Sequence, residues 1–111
     1  MNKAKFEKLY QKELRRSQFE GLPSLEKWKS LERLHILGQQ EIVKHYQAHF
    51  LMMVHASKEN KPLEVLGQII RFLLVGPAHL IGWLPEGNVG TTRANPFKKM
   101  PLPKDIEEII K

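Results

Sequence analysis

The chain of 111 residues contains no cysteine. That absence removes disulfides, zinc ribbons, thiolate clusters and cysteine nucleophiles at once, and it confines any metal site to imidazole and carboxylate ligands. It also suits a reducing compartment. The amino terminus, MNKAKFEKLYQKELRR, is charged from its first residues and lacks the apolar core of a signal peptide. A cytoplasmic location is therefore expected. Long apolar runs are scarce too: the most hydrophobic stretch, IIRFLLVGPAHLIGWL at residues 69–84, is short and broken by Arg71 and by Gly76-Pro77, so no membrane span is expected. No segment alternates polar and apolar residues for long enough to require a strand. Neither a GxSxG elbow nor a P-loop occurs, and the few serines have no identifiable His and Asp partners. The reading leans away from an enzyme.

What is present is helical periodicity. Residues 3–18 place Phe6, Leu9, Tyr10 and Leu14 on one face and Lys5, Lys8, Lys12, Arg15 and Arg16 on the other. FEGLP then breaks the chain, and Ser24 is the expected N-cap of a second helix over about 25–37, with Lys27 leaving the capping box incomplete. Leu25, Trp28, Leu31, Leu34 and His35 share a face of that helix, which marks His35 for burial. Gly38 offers a cap and a pivot. A third helix, about 41–57, carries Ile42, Tyr46, His49 and Met53 in one stripe with His45 at its margin. Pro62 opens a fourth helix to about residue 75, apolar on most sides, which is expected to be covered by neighbours. The Pro/Gly-rich segment 86–103 follows as an extended loop, and residues 104–111 form a short last helix. The expectation is one all-α domain over residues 1–111, with a helical core at 1–85 built as a small bundle or as tetratricopeptide-like helix pairs; no 34-residue repeat supports a true array.

Four polar residues stand out on either side of Gly38. HYQAH sets His45 and His49 one helical turn apart, and LERLH sets Glu32 one turn ahead of His35. If the two helices fold back at Gly38, the three imidazoles and the Glu32 carboxylate could converge on a transition-metal ion, with Zn, Ni or Cu(II) favoured by neutral nitrogen ligands. Glu41 is a further carboxylate on that side. The competing reading is that the histidines are structural, each satisfied by a hydrogen bond, because buried imidazole must find a partner. A ferritin-type di-iron site needs two Glu-x-x-His pairs, and only Glu32 with His35 fits. Met52 and Met53 read as core filler.

The net charge of +6 raises the question of nucleic acid. Beyond the first helix the basic residues are dispersed and no aromatic platform accompanies them, so nucleic-acid binding has little support. GNVG at 87–90 reads as a turn with left-handed glycine and asparagine. The second functional reading is a helix-pair interaction module, with the basic first helix and residues 86–103 facing a protein partner or a second copy, and with histidines that hold no metal.

LERLHILGQ at 31–39, HYQAH at 45–49, EVLGQIIR at 64–71 and GNVGTTRANPF with MPLPKDI at 87–106 together resemble a small bacterial family of unknown function over about residues 24–108. The resemblance implies that His35, His45, His49 and Glu32 are motif positions, and it implies a link to heavy-metal handling. Relatives of that kind carry a further histidine where this chain has Ser30, which implies a thinner ligand set here.

Overall fold

The computed structural model describes residues 1–111. The chain is all-α, with helices α1 (Lys3–Gln18), α2 (Ser24–Gly38), α3 (Ile42–Lys58), α4 (Pro62–Ile81) and α5 (Lys104–Ile110). Short connections force antiparallel neighbours: α1 packs on α2, α2 on α3, α3 on α4, and α5 returns to α1. Asn2 caps α1 through Lys5 N and ties it to α5 through Ile109 O.

The core lies between α1, α2 and α3, where Phe6, Tyr10, Leu31, Leu34, Leu37, Ala48 and Met52 are buried, joined by Val89 and Ile106. Met52 is core filler, as its sequence context suggests. A charge network that runs from buried Glu13 to the surface stitches α1, α2 and α5. Glu13 pairs with Arg33, which reaches on to Asp105, and Ser30 Oγ donates to Glu13 at 3.2 Å.

Several local expectations shift. Ser24 lies inside α2 rather than capping it: Pro23 holds the cap position, and the Ser24 hydroxyl donates instead to Glu59 at the end of α3. Leu25 and Ile42 are exposed, while the buried stripe of α3 is His45, Ala48, His49, Met52 and Ala56. His45 therefore belongs to the inner face. Gly38 is required by close approach, since a Cβ there would sit 2.9 Å from the Lys44 carbonyl oxygen, where α2 meets α3.

The largest departure is α4. It continues through Gly76 and Pro77 to Ile81 and ends at Gly82 in the left-handed conformation with φ 72°. Pro77 lies on the exposed side, where water can take up the carbonyl that loses its helical donor. The 20-residue helix is long and apolar enough to cross a membrane by length and composition. Yet its polarity is inverted: Gln68 and Val75 are buried against the fold, while Leu63, Leu66, Ile70, Leu73 and Leu80 face outward. Neighbours within the chain do not cover it.

A candidate metal centre of three buried imidazoles

Residues 85–91 close the site that α2, α3 and α4 frame. Pro85, Gly87, Asn88, Val89, Gly90 and Thr91 are all buried. The turn is built by two left-handed glycines, Gly87 at φ 79° and Gly90 at φ 85°. Gly90 is doubly constrained, because a Cβ would lie 2.5 Å from Cγ of His35. Asn88 keeps a right-handed or extended backbone and works through its side chain. Its Nδ2 donates to the Asn95 and Lys98 carbonyls at 2.8 Å each, and its Oδ1 accepts from Gly90 N at 2.9 Å.

The fold-back at Gly38 brings His35, His45 and His49 together. All three are buried, with ring centroids 4.6–5.1 Å apart, and one nitrogen from each lies within 4.8 Å of the others. Their outer nitrogens are each engaged. His35 Nδ1 is 2.7 Å from the Asn88 carbonyl oxygen. That oxygen can only accept, so the proton sits on Nδ1 and Nε2 presents a lone pair inward. His49 Nδ1 is 2.7 Å from Gln68 Oε1, and Gln68 Nε2 donates to Glu64 Oε2 at 2.8 Å and to the Gly90 carbonyl at 3.0 Å. Two pure acceptors fix the Gln68 amide, so His49 also carries its proton on Nδ1. His45 Nδ1 is 2.9 Å from His79 Nε2, and His45 Nε2 is 3.0 Å from His35 Nε2. Because His35 Nε2 is bare, His45 supplies the bridging proton and accepts one from His79.

Electrostatics keep the rings neutral. Burial, then the neighbouring His49 and His45, hold His35 well below the ordinary histidine range. Burial foremost lowers His45 to about 3 and His49 to about 4. Arg71 contributes in the same direction at His35 and His49. Its guanidinium donates to the Gly67 and Ala94 carbonyls at 3.2 and 3.0 Å, but its buried Nε finds no partner and no carboxylate pairs with it. The cluster opens into a cleft walled by Arg71, Val75, Trp83, Pro85 and Phe97. Three neutral nitrogen donors beside an opening can bind a late transition metal and leave coordination positions free.

Glu32 stands apart from the rings. Its carboxylate accepts from Arg93 Nε and Nη2 at 2.8 and 3.0 Å and from Thr91 Oγ1 at 2.6 Å, clamping the closing loop onto α2. Glu41 precedes α3 and pairs with Lys44 at 3.1 Å. Ser30 faces Glu13, roughly 140° around α2 from His35, so a histidine there would meet Glu13 rather than extend the cluster.

Sequence reasoning missed His79, Gln68 and Asn88. The first two carried a signal: Glu64, Gln68, Arg71, Val75 and His79 recur at helical spacing, a narrow and mostly polar strip that runs past Pro77. Asn88 was legible only as a turn residue, because the carbonyls of Asn95 and Lys98 and the ring of His35 reach it only in the folded chain.

No curated protein and no solved structure matches the chain. A family model does match, over residues 3–110, so that the site and every helix fall within it, and the chain belongs to the family described as protein of unknown function (DUF3703).

Proposed function

We propose that the protein binds a single transition-metal ion, Zn, Ni or Cu(II), through Nε2 of His35, His45 and His49, and that it does so without turning over a substrate. The observation that carries the reading is the set of outer partners. His35 and His49 donate their Nδ1 protons to the Asn88 carbonyl and to Gln68, which is the arrangement that orients metal-ligating histidines and raises their basicity, and His45 Nδ1 meets His79 Nε2. Ligands about 2.0–2.1 Å from one ion lie roughly 2.9–3.4 Å from each other. The His35 and His45 Nε2 atoms, at 3.0 Å, are already at that spacing, and a His49 nitrogen lies within 4.8 Å of the other two ligand atoms. Freeing His45 Nε2 for the ion requires its proton to move to Nδ1 and the His79 proton to move from Nε2 to Nδ1, so that the contact at 2.9 Å reverses and His79 Nε2 becomes the acceptor. Glu32 is outside this ligand set and supports it through the loop.

An ion on three neutral rings beside Arg71 leaves the pocket with excess positive charge, which favours an anion or hydroxide in an open position. Capture or buffering of a metal ion fits this arrangement better than a closed structural site.

The test is calorimetric titration of chelator-treated protein with Zn, Ni and Cu(II) chlorides, beside a His45→Ala/His49→Ala variant whose helicity is checked by circular dichroism. One equivalent per chain, lost in the variant, is the expected result. Equal heats for the two proteins would refute the proposal. They would favour the alternative, a helix-pair interaction module whose histidines serve only as a hydrogen-bonded network. Burial of Asn88, Val89 and Thr91 takes support away from one part of that alternative, the use of the whole 86–103 segment as a partner surface.

A further inference from the structure

The outward face of α4 is ordered as well as apolar. Leu63, Leu66, Ile70, Leu73, Pro77 and Leu80 recur at alternating steps of three and four residues, the spacing of a seam that packs against another helix. Ile69, Leu74 and Ile81 flank it, and the residues diametrically opposite, Gln68 and Val75, are the buried ones. The seam is also symmetric about the midpoint of the helix, between Arg71 and Phe72. Reversed end to end, Leu63 falls opposite Leu80, Leu66 opposite Pro77, and Ile70 opposite Leu73.

We infer that a second copy of this chain covers this face, its α4 running antiparallel to the first across a twofold axis near residues 71–72. A twofold interface is self-complementary, and a seam that is its own reverse meets that condition with Leu or Ile in two of its three kinds of layer. The area suffices. Leu63, Leu66, Ile69, Ile70, Leu73, Leu74, Leu80 and Ile81 are 38–86% exposed and together present apolar surface on the order of the 800 Å² that each partner contributes to a stable interface. Monomers rarely expose a continuous patch of that size.

A membrane surface fits less well. Helices that lie on membranes carry lysine and arginine along the flanks of the apolar face. Between Pro62 and Ile81 the only basic residue besides His79 is Arg71, whose guanidinium is turned to the Gly67 and Ala94 carbonyls. Spanning a bilayer would also tear Gln68 from His49 and Gly90.

Sedimentation equilibrium on the intact protein at tens of micromolar, in chelator, should give twice 13.0 kDa, and Ile70→Glu/Leu73→Glu should return it to the monomer with unchanged helicity. The lack of native cysteine allows a second measurement that does not depend on that variant. A chain carrying Ile70→Cys and Leu73→Cys should cross-link into dimers on mild oxidation. Leu63→Cys alone should not, because the two copies of residue 63 would lie about 25 Å apart along the antiparallel pair. A monomeric wild type, a dimer that survives both glutamates, self-linking through residue 63, or flotation of monomers with anionic phospholipid vesicles would each overturn the inference.

Discussion

At the scale of single residues the site is governed by which atom of each side chain is already spoken for. Gln68 shows this most clearly, because its amide serves three partners at once: His49, Glu64 and the Gly90 carbonyl. Replacing it by methionine keeps the volume and strands those partners in a buried place, where each unsatisfied group costs about 1–3 kcal/mol. Gln68→Met should therefore lower unfolding free energy by roughly 2–4 kcal/mol in urea titrations and broaden the His49 ring resonances. A loss below roughly half a kcal/mol would mean that the amide does not hold the ring. Glu32 makes the contrasting case. Its ion pair with Arg93 is partly exposed, so Glu32→Gln should cost only about 1 kcal/mol and should leave the metal stoichiometry at one per chain. A lost equivalent would return Glu32 to the ligand set that its spacing from His35 first suggested.

At the scale of elements, the helices and their order were legible because each inner face follows the 3.6-residue period, and the meeting of His35, His45 and His49 followed from one pivot at Gly38. Other features were not legible for identifiable reasons. Proline ordinarily ends a helix, so the continuation of α4 past Pro77, and with it His79, depended on the exposure of that side. The carboxylate of Glu32 looked available because Arg93, its partner, lies 61 residues away in sequence. Ser24 looked like a cap because Glu59, which takes its hydroxyl, comes from another helix. That last contact also joins two elements. Glu59 at the end of α3 accepts from Ser24 and from Trp28 Nε1 at 2.9 Å, and lies 3.2 Å from His55 Nε2. Glu59→Ala should cost about 1–2 kcal/mol, and should speed hydrogen exchange in the first turns of α2 more than in α1. Uniform acceleration across both helices would show that Glu59 contributes to global stability without clamping this junction.

For the whole molecule, burial of three titratable rings in one centre links folding to pH. The folded values of His35, His45 and His49 are lowered from 6.5, to about 3 for His45 and about 4 for His49. Between those values and 6.5 the unfolded chain binds more protons than the folded one, so stability rises with pH across that window. It is fully present above 6.5 and is lost as the pH falls toward the folded values. Each ring contributes a slope of up to about 1.4 kcal/mol per pH unit, and three acting together about 4. A domain whose total stability is roughly 5–15 kcal/mol cannot sustain that slope for long. Metal-free protein should therefore lose its helical signal with a midpoint between about pH 4 and 5.5, well above the range in which salt-bridged carboxylates such as Asp105 protonate. A bound ion competes with protons for the same nitrogens, so saturating Zn should move the midpoint to lower pH. A midpoint below pH 3 in chelator would mean that the rings protonate without unfolding the chain, through an opening of the loop at residues 85–91 instead of a cooperative loss of the core.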